Sequence, residues 1–175
     1  MFTPTDCCPD NPYLRNDRVI FFDFEGATTR HALLDAAYVL APFPTCWCTS
    51  RLPDGVSERL LAAYREHFPG RLDFDEQLTL ALAALVLFTL SWHWPGNWEH
   101  EDQTWGLVTV RQRHLFRLQN LLARANLATL LPCLAGVADD LYRTLNARWP
   151  DLDPMPLYPA FRPGPYRAVS ATGDQ

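Results

Sequence analysis

Three oxygen-bearing side chains near the start of the chain are of the types that phosphoryl chemistry uses. They are Asp6, Asn11 and, after a short apolar run, Asp23. A hydroxyl that attacks a phosphoryl group must give up its proton, and a carboxylate can accept it. A divalent cation that neutralises phosphate charge needs hard oxygen ligands, which an Asn amide and an Asp carboxylate supply. The same residues also have a plainer use. They can form a polar turn that caps a hairpin, with Asp6 and Asp10 simply solvated, and D-x-x-x-x-N is by itself a weak signal.

The elements that must position these groups are short. Asn16-Asp17 reads as a tight turn between two strands, Pro12 to Arg15 and Arg18 to Phe22, and such a hairpin folds Asp23 back beside the first pair. Gly26 to Arg30 follows as a loop. A helix is expected over His31 to Leu40, stopped by Pro42 and Pro44. Asp35 lies inside that helix. If buried it needs partners, and backbone N–H groups of the Asp6–Asn11 loop are the natural ones; the alternative is an exposed helical Asp.

The order and spacing of these pieces resemble the aminoglycoside phosphotransferase and choline kinase-like family, a branch of the kinase-like phosphotransferases. The resemblance is carried by Asp6-x-x-x-x-Asn11, by Asp23-Phe24-Glu25-Gly26, and by Arg30-His31-Ala32-Leu33-Leu34-Asp35-Ala36-Ala37. It covers roughly residues 4 to 65. It implies that Asp6 is the catalytic base and that Asn11 and Asp23 are metal ligands. Asp35 would support the catalytic loop from the helix behind it. It also implies Mg2+ and ATP as cofactors and a small-molecule hydroxyl as acceptor, with an acidic balance compatible with a cationic one.

Two departures from the family pattern stand out. Pro4 and Thr5 occupy the places of the usual His-Gly before the Asp. The chain also opens only five residues before Asp6, where the family has a whole lobe that clamps the nucleotide and supplies a phosphate-binding Lys with its Glu partner. The only basic residues ahead of Arg51, apart from histidine, are Arg15, Arg18 and Arg30. The expectation is therefore a kinase-like C-terminal lobe, inactive or nearly so alone, as a truncation or a misplaced start would leave it. The alternative is a non-catalytic remnant that serves as a binding or scaffold module, with a homodimer or a lobe-replacing partner on its exposed apolar side.

The rest of the chain reads as support. With 175 residues, 48% of them apolar and 20% charged, it suits one globular domain, and a net charge of −5 argues against nucleic acid. The fold class expected is α+β, predominantly helical, with the small β-hairpin next to the catalytic loop. One lobe spans 1–168: the loop and metal-binding hairpin over 1–25, a helical core over 31–149, and a Pro-rich tail over 150–168 packed on the lobe. Residues 169–175 are expected to be disordered.

Further helices are expected over Val56 to His67, from Asp73–Glu76 to Trp92, over Val108 to Leu131 and over Cys133 to Trp149. The third is apolar all round and so is expected to be packed on two sides; its most apolar stretch, Leu78 to Trp92, is short for a membrane span. Arg111, Arg113, Arg117 and Arg124 read as a solvated face, with phosphate or an acidic partner as alternatives. The loop from Trp92 to Asp102 could bind a metal through His93 and His100 with Glu99 or Asp102. Its Trp faces could instead hold an amine, or simply cover the core. Cys7, Cys8, Cys46, Cys48 and Cys133 fit no disulfide framework, and the spacing suits zinc poorly, so free thiols in a reducing cytoplasm are expected.

Overall fold

In the computed structural model, residues 1–68, 73–92 and 101–163 are described. Among them the β strands form three two-stranded antiparallel pairs, a single parallel bridge joins Arg51 and Leu157, and helices make up the rest of the ordered framework. β1 (Phe2–Thr3) pairs with β4 (Thr28–Thr29), and β2 (Pro12–Arg15) pairs with β3 (Arg18–Phe21). Arg15 opposes Arg18, so the turn is the two residues Asn16 and Asp17, at φ 48° and 58°. Both angles are positive, as a tight hairpin turn requires, and Asn and Asp tolerate that backbone better than most residues. The β1–β4 pair encloses this hairpin, so the whole segment from residue 2 to residue 29 is a hairpin within a hairpin.

α1 (Leu33–Ala37) packs against α3 (Phe74–Trp92), α3 against α4 (Val110–Leu122), and α4 against α6 (Pro132–Arg148). Leu33, Leu78, Leu82, Leu118, Leu121 and Leu145 are all within 1% of full burial and form the centre of the core. α2 (Val56–His67) lies outside it and buries no residue completely, but Tyr64 donates to the Ala32 carbonyl at 2.8 Å and fixes the entry to α1. The predominantly helical α+β class is therefore what the chain adopts. Residues 150–163 pack on the body. Arg51 N–H donates to the Pro156 carbonyl at 3.1 Å, Tyr158 N–H to the Arg51 carbonyl at 2.8 Å, and Met155 is buried. Residues 164–175, the end of the expected tail and the stretch expected to be disordered, lie outside the described residues.

Several expectations are corrected. The first helix is only five residues long, because Pro42 and Pro44 disfavour helical backbone ahead of them and Phe43 takes φ 46°. The helix expected over Val108 to Leu131 is three elements. Val108–Thr109 is β6, paired with β5 (Thr104–Trp105), and α5 (Leu127–Leu130) follows α4 after a break. Thr109 and Gln112 form a capping box that starts α4. At the break, Asn126 Oδ1 accepts from Thr79 Oγ1 at 2.6 Å and Arg124 Nε donates to the same hydroxyl at 3.2 Å, which ties the turn to α3. α3 is long and apolar enough to pass for a membrane-crossing helix by length and composition, yet 56% of an 18-residue stretch of it is buried inside the fold. It is not covered on every side: Leu80, Leu87, Phe88 and Trp92 are exposed.

Candidate functional site

The loop from Asp6 to Asn11 is closed on itself. Asn11 N–H donates to the Cys8 carbonyl at 2.9 Å, and Asn11 Nδ2 donates to the Asp6 carbonyl at 3.3 Å. Asn11 is 7% exposed, and among the described residues its Oδ1 has no protein partner. Asp6 Oδ1 accepts from Cys8 N–H at 3.1 Å, a local Asx turn, and from Thr45 Oγ1 at 2.6 Å. The second contact spans 39 residues and comes from the connection after α1. Two donors on one oxygen fix the carboxylate and leave Oδ2 without a protein partner among the described residues.

The backbone entering this loop is strained. Asp6 N–H donates to the Pro4 carbonyl at 2.8 Å across Thr5, whose φ is 71°. This is a γ-turn of the rare positive-φ kind, and a β-branched residue there is an outlier. Thr5 stands where the resembled family has Gly, the residue that takes this backbone freely. Asp23 is a second outlier, at φ 61°. Phe22 N–H donates to the Asn11 carbonyl at 3.0 Å, so the hairpin brings the chain back beside Asn11 just before Asp23. Asp23 is exposed and has no hydrogen bond or ion pair among the described residues. Strained φ values of this kind persist only where the surrounding structure holds them, and they cluster at functional sites.

Asp35 reaches the loop through an intermediary that the sequence did not flag. Its carboxylate pairs with Arg30, and Arg30 in turn donates from Nη2 to the Thr5 carbonyl and from Nε to Thr3 Oγ1, each at 2.9 Å. The Asp35 and Arg30 side chains are 11% and 17% exposed. Asp35 is therefore partly buried as expected, but its partner is a guanidinium and not the backbone N–H groups of the loop. Sequence reasoning also missed Thr45, for which no local signal exists.

No family model, curated protein or solved structure matches this chain. Its chemistry is read from its own geometry, which corrects the sequence analysis at two more points. Cys8 and Cys46 are joined as a disulfide, and Cys7, Cys48 and Cys133 are free. Burial, with Asp35 next, pushes the Cys7 thiol up to about 12, so it is held neutral. Arg113 and Arg117 are not on a solvated face; each is 2% exposed. Arg117 Nε donates to the Ala41 carbonyl at 3.2 Å, and Arg113 Nη2 donates to the Thr49 carbonyl at 3.3 Å. Together with Asn120, which donates to the Leu40 carbonyl at 2.6 Å, they pin the 40–50 connection that carries Thr45. Burial lowers Arg117 to about 9 and Arg113 to about 10, and no carboxylate pairs with either among the described residues.

The expected metal or amine site around His93, Glu99 and His100 lies outside the described residues, and Asp102 accepts from Arg111 N–H at 3.2 Å. A cavity of about 610 Å³ opens between α2, α4, α6 and the tail, with Arg51, Asp54, Glu58, Phe116 and Asp153 among its walls. None of Asp6, Asn11 or Asp23 lines it, so volume and candidate chemistry do not coincide here.

Proposed function

We propose that this chain is the C-terminal lobe of a kinase-like phosphotransferase that uses Mg2+ and ATP and acts on a small-molecule hydroxyl. The observation that carries the proposal is the paired geometry of the loop and the hairpin. Asn11 closes the loop onto Asp6 through Nδ2, and the Phe22-to-Asn11 hydrogen bond brings the chain back beside Asn11 just before Asp23. The donor set fits a hard divalent cation: an Asn amide oxygen with no protein partner and an exposed, unpaired carboxylate. Asn11 and Asp23 would hold Mg2+, which when bound neutralises phosphate charge. Asp6, its Oδ1 held by Cys8 and Thr45, presents Oδ2 to the acceptor hydroxyl, orients it and accepts its proton. Such catalysis is positioning and charge neutralisation, and it needs the groups that clamp the triphosphate as well. Alone, the chain is expected to bind Mg-ATP weakly and to turn over little or nothing.

A second reading, a non-catalytic lobe kept as a binding module, is favoured by one feature. The hairpin side of the site exposes Tyr13, Leu14, Val19, Phe21, Phe22 and Phe24, with Leu14 72% exposed. Apolar side chains exposed on both faces of one hairpin suit a covering partner or a second copy. Calorimetric titration with Mg-ATP, run beside Asp23→Asn, separates the readings. Binding that requires magnesium and is lost in the variant supports the phosphotransferase lobe. Absence of binding by a chain shown to be folded sinks it and leaves the binding module.

A further inference from the structure

The disulfide belongs to a larger cluster. One ligand-capable atom from each of Cys8, Asp10, Cys46 and Cys48 lies within 4.8 Å of the others. Cys48 Sγ is 3.8 Å from Cys8 Sγ and 3.0 Å from Cys46 Sγ. We propose that the reduced chain binds one Zn2+ through the three sulfurs of Cys8, Cys46 and Cys48 and a carboxylate oxygen of Asp10. The site is independent of the phosphotransferase reading.

The geometry suits zinc. A Zn–S bond of about 2.3 Å in a tetrahedron puts sulfurs about 3.8 Å apart. The Cys8–Cys48 separation of 3.8 Å already equals that edge, and Cys46 needs to withdraw from both once its covalent bond is reduced. The ligands come as two facing arms, Cys8-Pro9-Asp10 and Cys46-Trp47-Cys48, each contributing positions i and i+2. Both arms are anchored by contacts that do not involve sulfur. Asn11 N–H donates to the Cys8 carbonyl, Cys46 N–H donates to the Phe43 carbonyl at 2.8 Å, and the Trp47 carbonyl abuts Gly106. Three soft thiolates with one carboxylate select zinc over magnesium or calcium.

Charge points the same way. Three thiolates and a carboxylate around Zn2+ carry two net negative charges. Beside Cys48 lies the buried guanidinium of Arg113, which has no carboxylate partner among the described residues. Cys7 is adjacent in sequence but is not part of the cluster. Two equivalents of a thiol reductant supply two electrons and two protons to the Cys8–Cys46 bond and leave as their own disulfide. Zn2+ then displaces three thiol protons to solvent. Because Cys8 N–H and Thr45, the neighbour of Cys46, both hold Asp6, the metal would tie down the loop that carries this carboxylate.

The test uses the full chain, reduced and stripped of metal by a chelator, with its five thiols counted before titration with Co2+ and then Zn2+. The expected result is one equivalent of Co2+ giving thiolate-to-cobalt charge-transfer absorption and intense tetrahedral d–d bands, displaced by one equivalent of Zn2+. Cys48→Ser should weaken binding at least tenfold and reduce the charge-transfer band by about a third. Cys7→Ser and Cys133→Ser should change neither. Should the reduced, metal-free chain lose its circular dichroism, Zn2+ should restore it. A folded reduced chain that takes up no cobalt, binding indifferent to Cys48→Ser, or an unfolded one that zinc does not rescue overturns the proposal.

Discussion

Replacing Arg30 by methionine deprives Asp35 of its cation and the Thr5 carbonyl of its donor in one step. The Arg30 and Asp35 side chains are 17% and 11% exposed, so some water reaches the abandoned carboxylate. The cost of breaking the pair is therefore set at the low end for a buried one, about 3 kcal/mol. The two further hydrogen bonds, to Thr5 O and Thr3 Oγ1, add about 1 kcal/mol between them, since both acceptors are partly re-solvated. Arg30→Met is thus expected to cost about 4 kcal/mol, a large share of the stability of an ordinary domain. Asp35→Asn keeps an oxygen acceptor and should cost about 2 kcal/mol. In the double variant no buried charge is left unpaired, so its cost should not exceed that of Arg30→Met, a coupling of at least about 2 kcal/mol. Urea denaturation reads this out. With a slope of about 2 kcal/mol/M, Arg30→Met lowers the midpoint by about 2 M at unchanged slope. Single-variant costs that add within about 0.5 kcal/mol would refute the claim that Asp35 supports the loop through Arg30.

Two further substitutions probe the backbone around the site. Thr5→Gly should stabilise the chain by about 1 kcal/mol: it relieves strain of about 1–3 kcal/mol at φ 71° and removes a buried hydroxyl without a partner, against about 0.4–1 kcal/mol of added unfolded-chain entropy. A loss of stability in the same urea assay would show that Thr5 is not strained. Gly106→Ala should destabilise by about 3 kcal/mol, because at φ 67° a Cβ would stand 1.9 Å from the Trp47 carbonyl oxygen. A thermal midpoint within a degree or two of the parent would contradict that contact.

Local chemistry made much of this protein legible from its sequence. Asn16-Asp17 specified the hairpin because few residue pairs take two consecutive positive φ angles. The bounds of α2 followed from periodicity and those of α3 to within a residue, and Pro132 opens α6 at a position where a missing N–H costs nothing. Other signals were present but outweighed. Thr109-x-x-Gln112 marks the start of α4, yet leucines at helical spacing, Leu115, Leu118, Leu121 and Leu122, suggested one continuous helix from Val108. The arginines of α4 looked like a solvated stripe, because spacing gives the faces of a helix but not which face is covered. Arg113 and Arg117 turn inward to serve the carbonyls of an irregular connection that has no ladder of its own.

For the candidate site the division is sharper. Residues 6, 11 and 23 are close in sequence and joined by one hairpin, so the return of the chain beside Asn11 just before Asp23 is a short-range event that residue order and turn chemistry determine. The predominantly helical α+β class was likewise implied by the periodic segments. Tertiary structure decided everything that crosses from one part of the chain to another: Thr45 on Asp6, Arg30 between Asp35 and Thr5, and Cys46 and Cys48 against Cys8 and Asp10. These contacts depend on how the connection after α1 is laid against the loop. Its course is set by α4 side chains about 65–80 residues away, and no local preference encodes that separation.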